Sequence, residues 1–112
     1  MSVEHWEEGK EGPFSEQALR KNLQARGFHV TRYVYPPGTF FPEHAHSTDK
    51  MDAVISGQFR IKTKNSDLIL EKGDALSVPR GTLHSAEVIG DEPVISLDAV
   101  KFREMRELTS GI

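Results

Sequence analysis

"GTFFPEHAH", Gly38 to His46, closes an apolar run with two histidines two positions apart. On an extended strand residues i and i+2 share a face, so His44 and His46 can converge on one point. A strand with two polar residues facing water reads the same way, and an H-x-H pair is by itself a weak signal. The decision rests on what flanks the pair.

From Phe28 onward the apolar residues recur with period two. "FHVTRYVY" predicts a strand halted at Pro36-Pro37-Gly38, and "TFFPEHAH" is extended but interrupted by Pro42. "MDAVIS", "QFRIKT", "DLILE", "ALSV", "LHSAEV" and "VISLDAV" follow, separated by Gly57, Asn65-Ser66, Lys72-Gly73-Asp74, Pro79-Arg80-Gly81 and Ile89-Gly90-Asp91. Eight short strands with regular turn signals predict an all-β sandwich or barrel.

Upstream, "PFSEQALRKNLQARG" predicts a helix, with Ser15 as cap, Phe14 and Leu19 as staple, and Arg26-Gly27 at the end. Its apolar stripe of Ala18, Leu19 and Leu23 is thin, so it should lie against something larger. The polar first dozen residues are expected to form an arm pinned by Trp6. Residues 1–27 are thus expected as arm and helix, and residues 28–112 as the barrel of one domain. "KFREMRELTSGI" spaces Phe102, Met105 and Leu108 like a short helix or docking tail.

The bulk composition excludes several chemistries. The 112 residues contain no cysteine, which removes disulfides, thiolate nucleophiles and cysteine zinc sites. A net charge of -3 and the absence of a basic stripe give no phosphate-binding surface, so no nucleic-acid partner is expected. No apolar run approaches a membrane span, and the acidic N-terminus lacks the order of a signal peptide. The expectation is a cytoplasmic protein with no membrane partner.

A third histidine strengthens the first two. His84 ends "GDALSVPRGTLH", in which Gly73, Pro79 and Gly81 predict a strand, a sharp turn and a returning strand. Written as spacings, the two stretches are G-x5-H-x-H-x10-G and G-x5-P-x-G-x2-H. They resemble the two motifs of the cupin superfamily, in the form of its small single-domain, type-2-like members. Gly38, His44, His46, Gly57, Gly73, Pro79, Gly81 and His84 agree in identity and order, and the fifteen residues between Gly57 and Gly73 fit the short spacer. The resemblance covers residues 38 to 88. It implies a double-stranded β-helix, the cupin jelly-roll barrel, here with one N-terminal helix and a ligand site inside. It further implies that His44, His46 and His84 hold one divalent transition metal: Fe, Ni, Zn, Mn or Cu. The plainer reading is three satisfied polar residues in a barrel that has lost its metal.

Two positions depart from the family pattern. The glutamate that commonly completes the first motif is Lys50, and the final asparagine of the second is Val88. A protonated lysine cannot ligate a metal, and at about 5 Å with an effective dielectric near 20 it repels a dication by roughly 6 kcal/mol. Lys50 must then be neutral, paired or turned away, and Asp52 shares its strand face. In one reading three histidines suffice, as in the thiol dioxygenase branch, and Lys50 is a catalytic candidate. It would hold a substrate carboxylate or act as acid/base with a lowered pKa. In another the metal role is weakened and the barrel binds a small anion. In a third Asp49 or Asp52 replaces the missing carboxylate ligand.

Asp52, Arg60 and Arg80 are candidates for substrate contact, although surface arginines are more often solvated charges. Phe40, Phe59, Ile61, Leu68, Leu70 and Leu76 read as core, and Tyr33 and Tyr35 as one face lining a pocket or an interface. The function classes left open are three. One is a metal-dependent enzyme of oxygenase or isomerase type acting on a small polar molecule. The others are a non-catalytic cupin that binds or senses a small ligand over a vestigial metal site, and a scaffold. Exposed sheet edges predict a homodimer.

Overall fold

The computed structural model describes residues 1–102, so Met105 and Leu108 of the expected tail lie outside the described residues. In chain order the elements are β1 (Ser2–His5), α1 (Glu8–Glu11), α2 (Glu16–Ala25), β2 (His29–Tyr35), β3 (Phe40–His44), β4 (Asp49–Ser56), β5 (Gln58–Lys62), β6 (Asp67–Leu70), β7 (Asp74–Val78), β8 (His84–Ile89) and β9 (Val94–Lys101). A five-stranded sheet, β1-β7-β4-β9-β2, faces a four-stranded sheet, β3-β8-β5-β6, and neighbours in both are antiparallel. This is the jelly-roll barrel that the family resemblance implies, and it agrees with the all-β reading of the strand periodicity. No helix of the described residues is long and apolar enough to cross a membrane.

Between the sheets lies a core of Val54, Phe59, Ile61, Leu70, Leu76, Val78, Ala86, Val88 and Val94. The five-stranded sheet is covered on its outer face as well. There Met51, Ala53, Ala75, Leu97 and Ala99 pack against Leu19 and Leu23, which sit one helical turn apart on α2. Ser15 caps α2 as its sequence predicts, its Oγ accepting the Ala18 amide at 3.0 Å. Strand β4 is therefore buried on both faces, which normally demands an almost unbroken apolar run. Its first half breaks that rule, because Lys50 and Asp52 point to the inside of the barrel.

Two expectations are corrected. The first residues are not an arm: Ser2–His5 pairs with β7 from Ser2↔Ser77 to His5↔Asp74 and forms the sheet edge. Its hydrogen bonds are made by the backbone, so a polar, fully exposed sequence can occupy an edge. Trp6 does anchor the segment that follows, its indole N–H donating to the Gly12 carbonyl at 2.9 Å. Phe40 is not core but 57% exposed, because β3 starts on the outward phase of its pleat. Among the motif glycines, Gly57 has the strictest requirement. Its φ is +85°, and a Cβ there would fall 2.3 Å from the Pro93 carbonyl oxygen.

Candidate metal centre

The two histidine-bearing stretches meet because β3 and β8 are neighbours, with His44 directly opposite His84. A register shift between Phe41 and His44, at Pro42, lets both side chains face inward although they are three apart. Pro42 is tolerated because β3 is the edge of its sheet. His46 lies just beyond the strand and is placed by the second motif: the Gly81 amide donates to the His46 carbonyl at 2.9 Å. The Arg80 amide donates to Asp49 Oδ1, also at 2.9 Å, and fixes the far end of the same loop. The glycine-turn of one motif thus holds His46 of the other.

The three rings cluster with centroids 4.4 Å (His44–His84), 4.8 Å (His44–His46) and 5.3 Å (His46–His84) apart. One ligand atom from each lies within 4.8 Å of the others. His44 Nδ1 is 2.7 Å from the Pro42 carbonyl, and His84 Nδ1 is 2.8 Å from the Thr82 carbonyl. A carbonyl oxygen only accepts, so each Nδ1 carries the proton and each Nε2 presents a lone pair. Both contacts run to the residue two positions earlier, so each backbone orients its own ligand, the usual supporting interaction of a metal-binding histidine. Burial, the nearby Lys50 ammonium and the other two imidazoles push His46 down to about 4. It is neutral at physiological pH and available as a ligand. A common ion at about 2.1 Å from each nitrogen requires separations of at most about 4.2 Å, a small ring rotation from what is present. The donor set fits a borderline divalent ion. Neither Asp49 nor Asp52 joins this group among the described residues.

The opposite wall belongs to the other sheet. A cavity of about 320 Å³ is lined by the three histidines and by Tyr33, Tyr35, Phe41, Lys50, Asp52, Phe59, Ala86, Ser96 and Asp98. Asp52 of β4 and Asp98 of β9 are directly opposed in register. Lys50 Nζ bridges them, 2.9 Å from Asp98 Oδ1 and 3.5 Å from Asp52 Oδ1. The Asp98 contact is an ion pair at close range rather than an aligned hydrogen bond. Burial alone would lower the pKa of Lys50, but the carboxylates of Asp52 and Asp98 outweigh it and raise it. The lowered pKa expected for an acid/base lysine is therefore corrected: Lys50 is a held cation. Burial raises Asp52, aided by Asp98 and opposed by Lys50. Burial, with Asp98 and Asp52 nearby, pushes the Tyr35 phenol up to about 12, so it stays neutral and able to donate.

The structure thus brings His44, His46, His84, Lys50 and Asp52 into one cavity. Arg60 is excluded from it. Between the buried Phe59 and Ile61 it takes the outer face of β5, where its guanidinium is forked on Asp67 at 2.9 and 2.7 Å. Asp98 and Ser96 were not anticipated. The available signal was their alternation in "VISLDAV", where polar residues take the inward phase of an otherwise buried strand.

The family model for the cupin domain matches residues 31–100. A nitrosourea synthase of Streptomyces achromogenes subsp. streptozoticus is 31% identical over 72 residues, 63% of this chain, and the chain spans 15% of that protein's length. A Klebsiella pneumoniae protein with a double-stranded β-helix domain superposes with a TM-score of 0.59 at 26% identity, over 67% of each chain. The DMSP lyase DddQ of Ruegeria pomeroyi superposes with a TM-score of 0.61 at 19% identity, over 69% of this chain and 39% of the lyase, a likeness of fold alone.

Proposed function

The chain belongs to the cupin domain family, and from that premise we propose that it binds one divalent transition metal through His44, His46 and His84 and acts on a small molecule admitted beside it. The observation that carries the reading is the pair of backbone carbonyls at Pro42 and Thr82. They support the Nδ1–H tautomer of His44 and His84, which leaves both Nε2 lone pairs for a metal in a cluster of three. When bound, such an ion supplies Lewis acidity to a ligand oxygen. The chain supplies the rest. Lys50 offers a protonated ammonium and Tyr35 a neutral hydroxyl, both donors, while the rings of Phe41 and Phe59 exclude water from the inner end.

We propose further that it is an enzyme, of oxygenase or isomerase type; the match to a protein named as a synthase supports an enzymatic role without bearing on the reaction type. A second reading, a non-catalytic cupin that binds or senses a small ligand, is favoured by one feature: Lys50 stands where the family commonly has a glutamate. Elemental analysis of untagged protein tests the shared metal claim. Near-stoichiometric metal that is lost in His46→Ala is the expected result. Substoichiometric metal that is unchanged in the variant contradicts it. The proposal includes a homodimer, supported by edge strand β2, which exposes Tyr33 and Val34. Light scattering should give twice the 12.6 kDa of one chain.

A further inference from the structure

We propose that the cavity takes a ligand with a carboxylate on a flat apolar body, and that the Lys50 ammonium receives the carboxylate. The inference rests on the metal reading above and adds the class of molecule. Charge is the first ground. The Lys50 ammonium stands between the two carboxyl groups on one wall of the cavity, facing the three imidazoles on the other. A divalent ion on those imidazoles adds two positive charges to the cavity, which favours an anionic ligand.

Geometry is the second. Asp98 and Asp52 hold Lys50 Nζ at 2.9 and 3.5 Å, and its side chain is only 10% exposed. An ammonium has three protons, so two carboxylates leave it a further donor within the cavity it lines. Its partners also stop it from swinging out to water, and a desolvated donor binds an anion more strongly than a solvated one.

The third ground is the wall. Tyr35 lies 5.0 Å from Phe41 and 5.7 Å from Phe59 between ring centroids, and together they form an aromatic surface on one side of the cavity. At about 320 Å³ the space is near the lower end of small-molecule pockets, roughly 300–1,000 Å³, and suits one ring or a short chain. Aromatic rings beside carboxylates can also host an organic cation, but here the ammonium of Lys50 already occupies that place.

The test uses the cobalt(II)-loaded chain, whose visible absorption bands report ligand entry, titrated with benzoate, benzamide and benzylammonium. Benzoate should bind at least tenfold tighter than benzamide, with benzylammonium weakest, and calorimetry should detect no benzoate binding to the metal-free chain. Lys50→Met/Asp98→Asn, which removes both signs of charge together, should lose at least tenfold in benzoate affinity. Lys50→Arg should retain the preference for benzoate over benzamide. Equal affinity for benzoate and benzamide, tightest binding of benzylammonium, or an unimpaired double variant would overturn the proposal. A wild-type chain that takes up no cobalt defeats the metal reading itself, and the inference with it. Uptake without a benzoate preference defeats the inference alone.

Discussion

The two walls of the cavity solve the same problem by opposite means. On the β3/β8 side, three imidazoles stand together, and two of them are aimed by backbone carbonyls two residues earlier in the chain. On the β4/β9 side, three ionisable groups face one another, with Lys50 set between Asp52 and Asp98. Rings that turn their Nε2 atoms toward one point offer lone pairs to a cation from outside. The charged trio is nearly satisfied within itself and tunes the field around that cation. The difference teaches that burying polar groups serves two ends here, ligation on one wall and electrostatic balance on the other.

The walls should fail differently when cut. Removing an imidazole, as in His84→Ala, takes one of three ligands, and metal affinity should fall by at least about a hundredfold while the fold persists. Calorimetric titration of metal into the variant measures it. Removing the ammonium, as in Lys50→Ala, leaves two carboxylates opposed across β4 and β9, and should cost about 3–5 kcal/mol of folding stability in urea denaturation. If His84→Ala destabilised the fold as much as Lys50→Ala does, the contrast between the walls would be lost. Reversing the charge, as in Lys50→Glu, should tighten metal retention by about tenfold, seen as slower loss to a chelator, because a repelling group becomes an attracting one. No change would show that the field of the charged wall does not reach the imidazoles.

A further contrast is in pH. His46 titrates at about 4 in the folded metal-free chain and near 6.5 when unfolded, so between those values the unfolded chain binds the extra proton. Stability of the metal-free protein should therefore be full above about 6.5 and decline as pH falls toward 4. His46→Gln should flatten that part of the profile.

What the sequence disclosed follows from how local each feature is. Gly38, His44, His46, Gly57, Gly73, Pro79, Gly81 and His84 lie within two short stretches, and the family resemblance they carry implies both the barrel and the imidazole wall. Lys50 stood out because it breaks the family pattern. Its partner Asp98 did not, since it comes from a strand almost fifty residues later and is joined only by sheet register. Arg60 was legible in retrospect, because alternation with Phe59 and Ile61 points it outward. Phe41 and His44 could not be placed together by alternation, because the irregularity at Pro42 changes the phase between them. Strand β1 was hidden for another reason: an edge strand is held by backbone hydrogen bonds to which side-chain identity is almost blind.

X-ray absorption at the edge of the metal that the protein itself retains addresses the convergence of the three rings most directly. Nitrogen scatterers at about 2.0–2.1 Å, with the outer-shell scattering of three imidazoles, are the predicted result. A shell of oxygen ligands with fewer imidazoles, unchanged in His44→Ala, would contradict it.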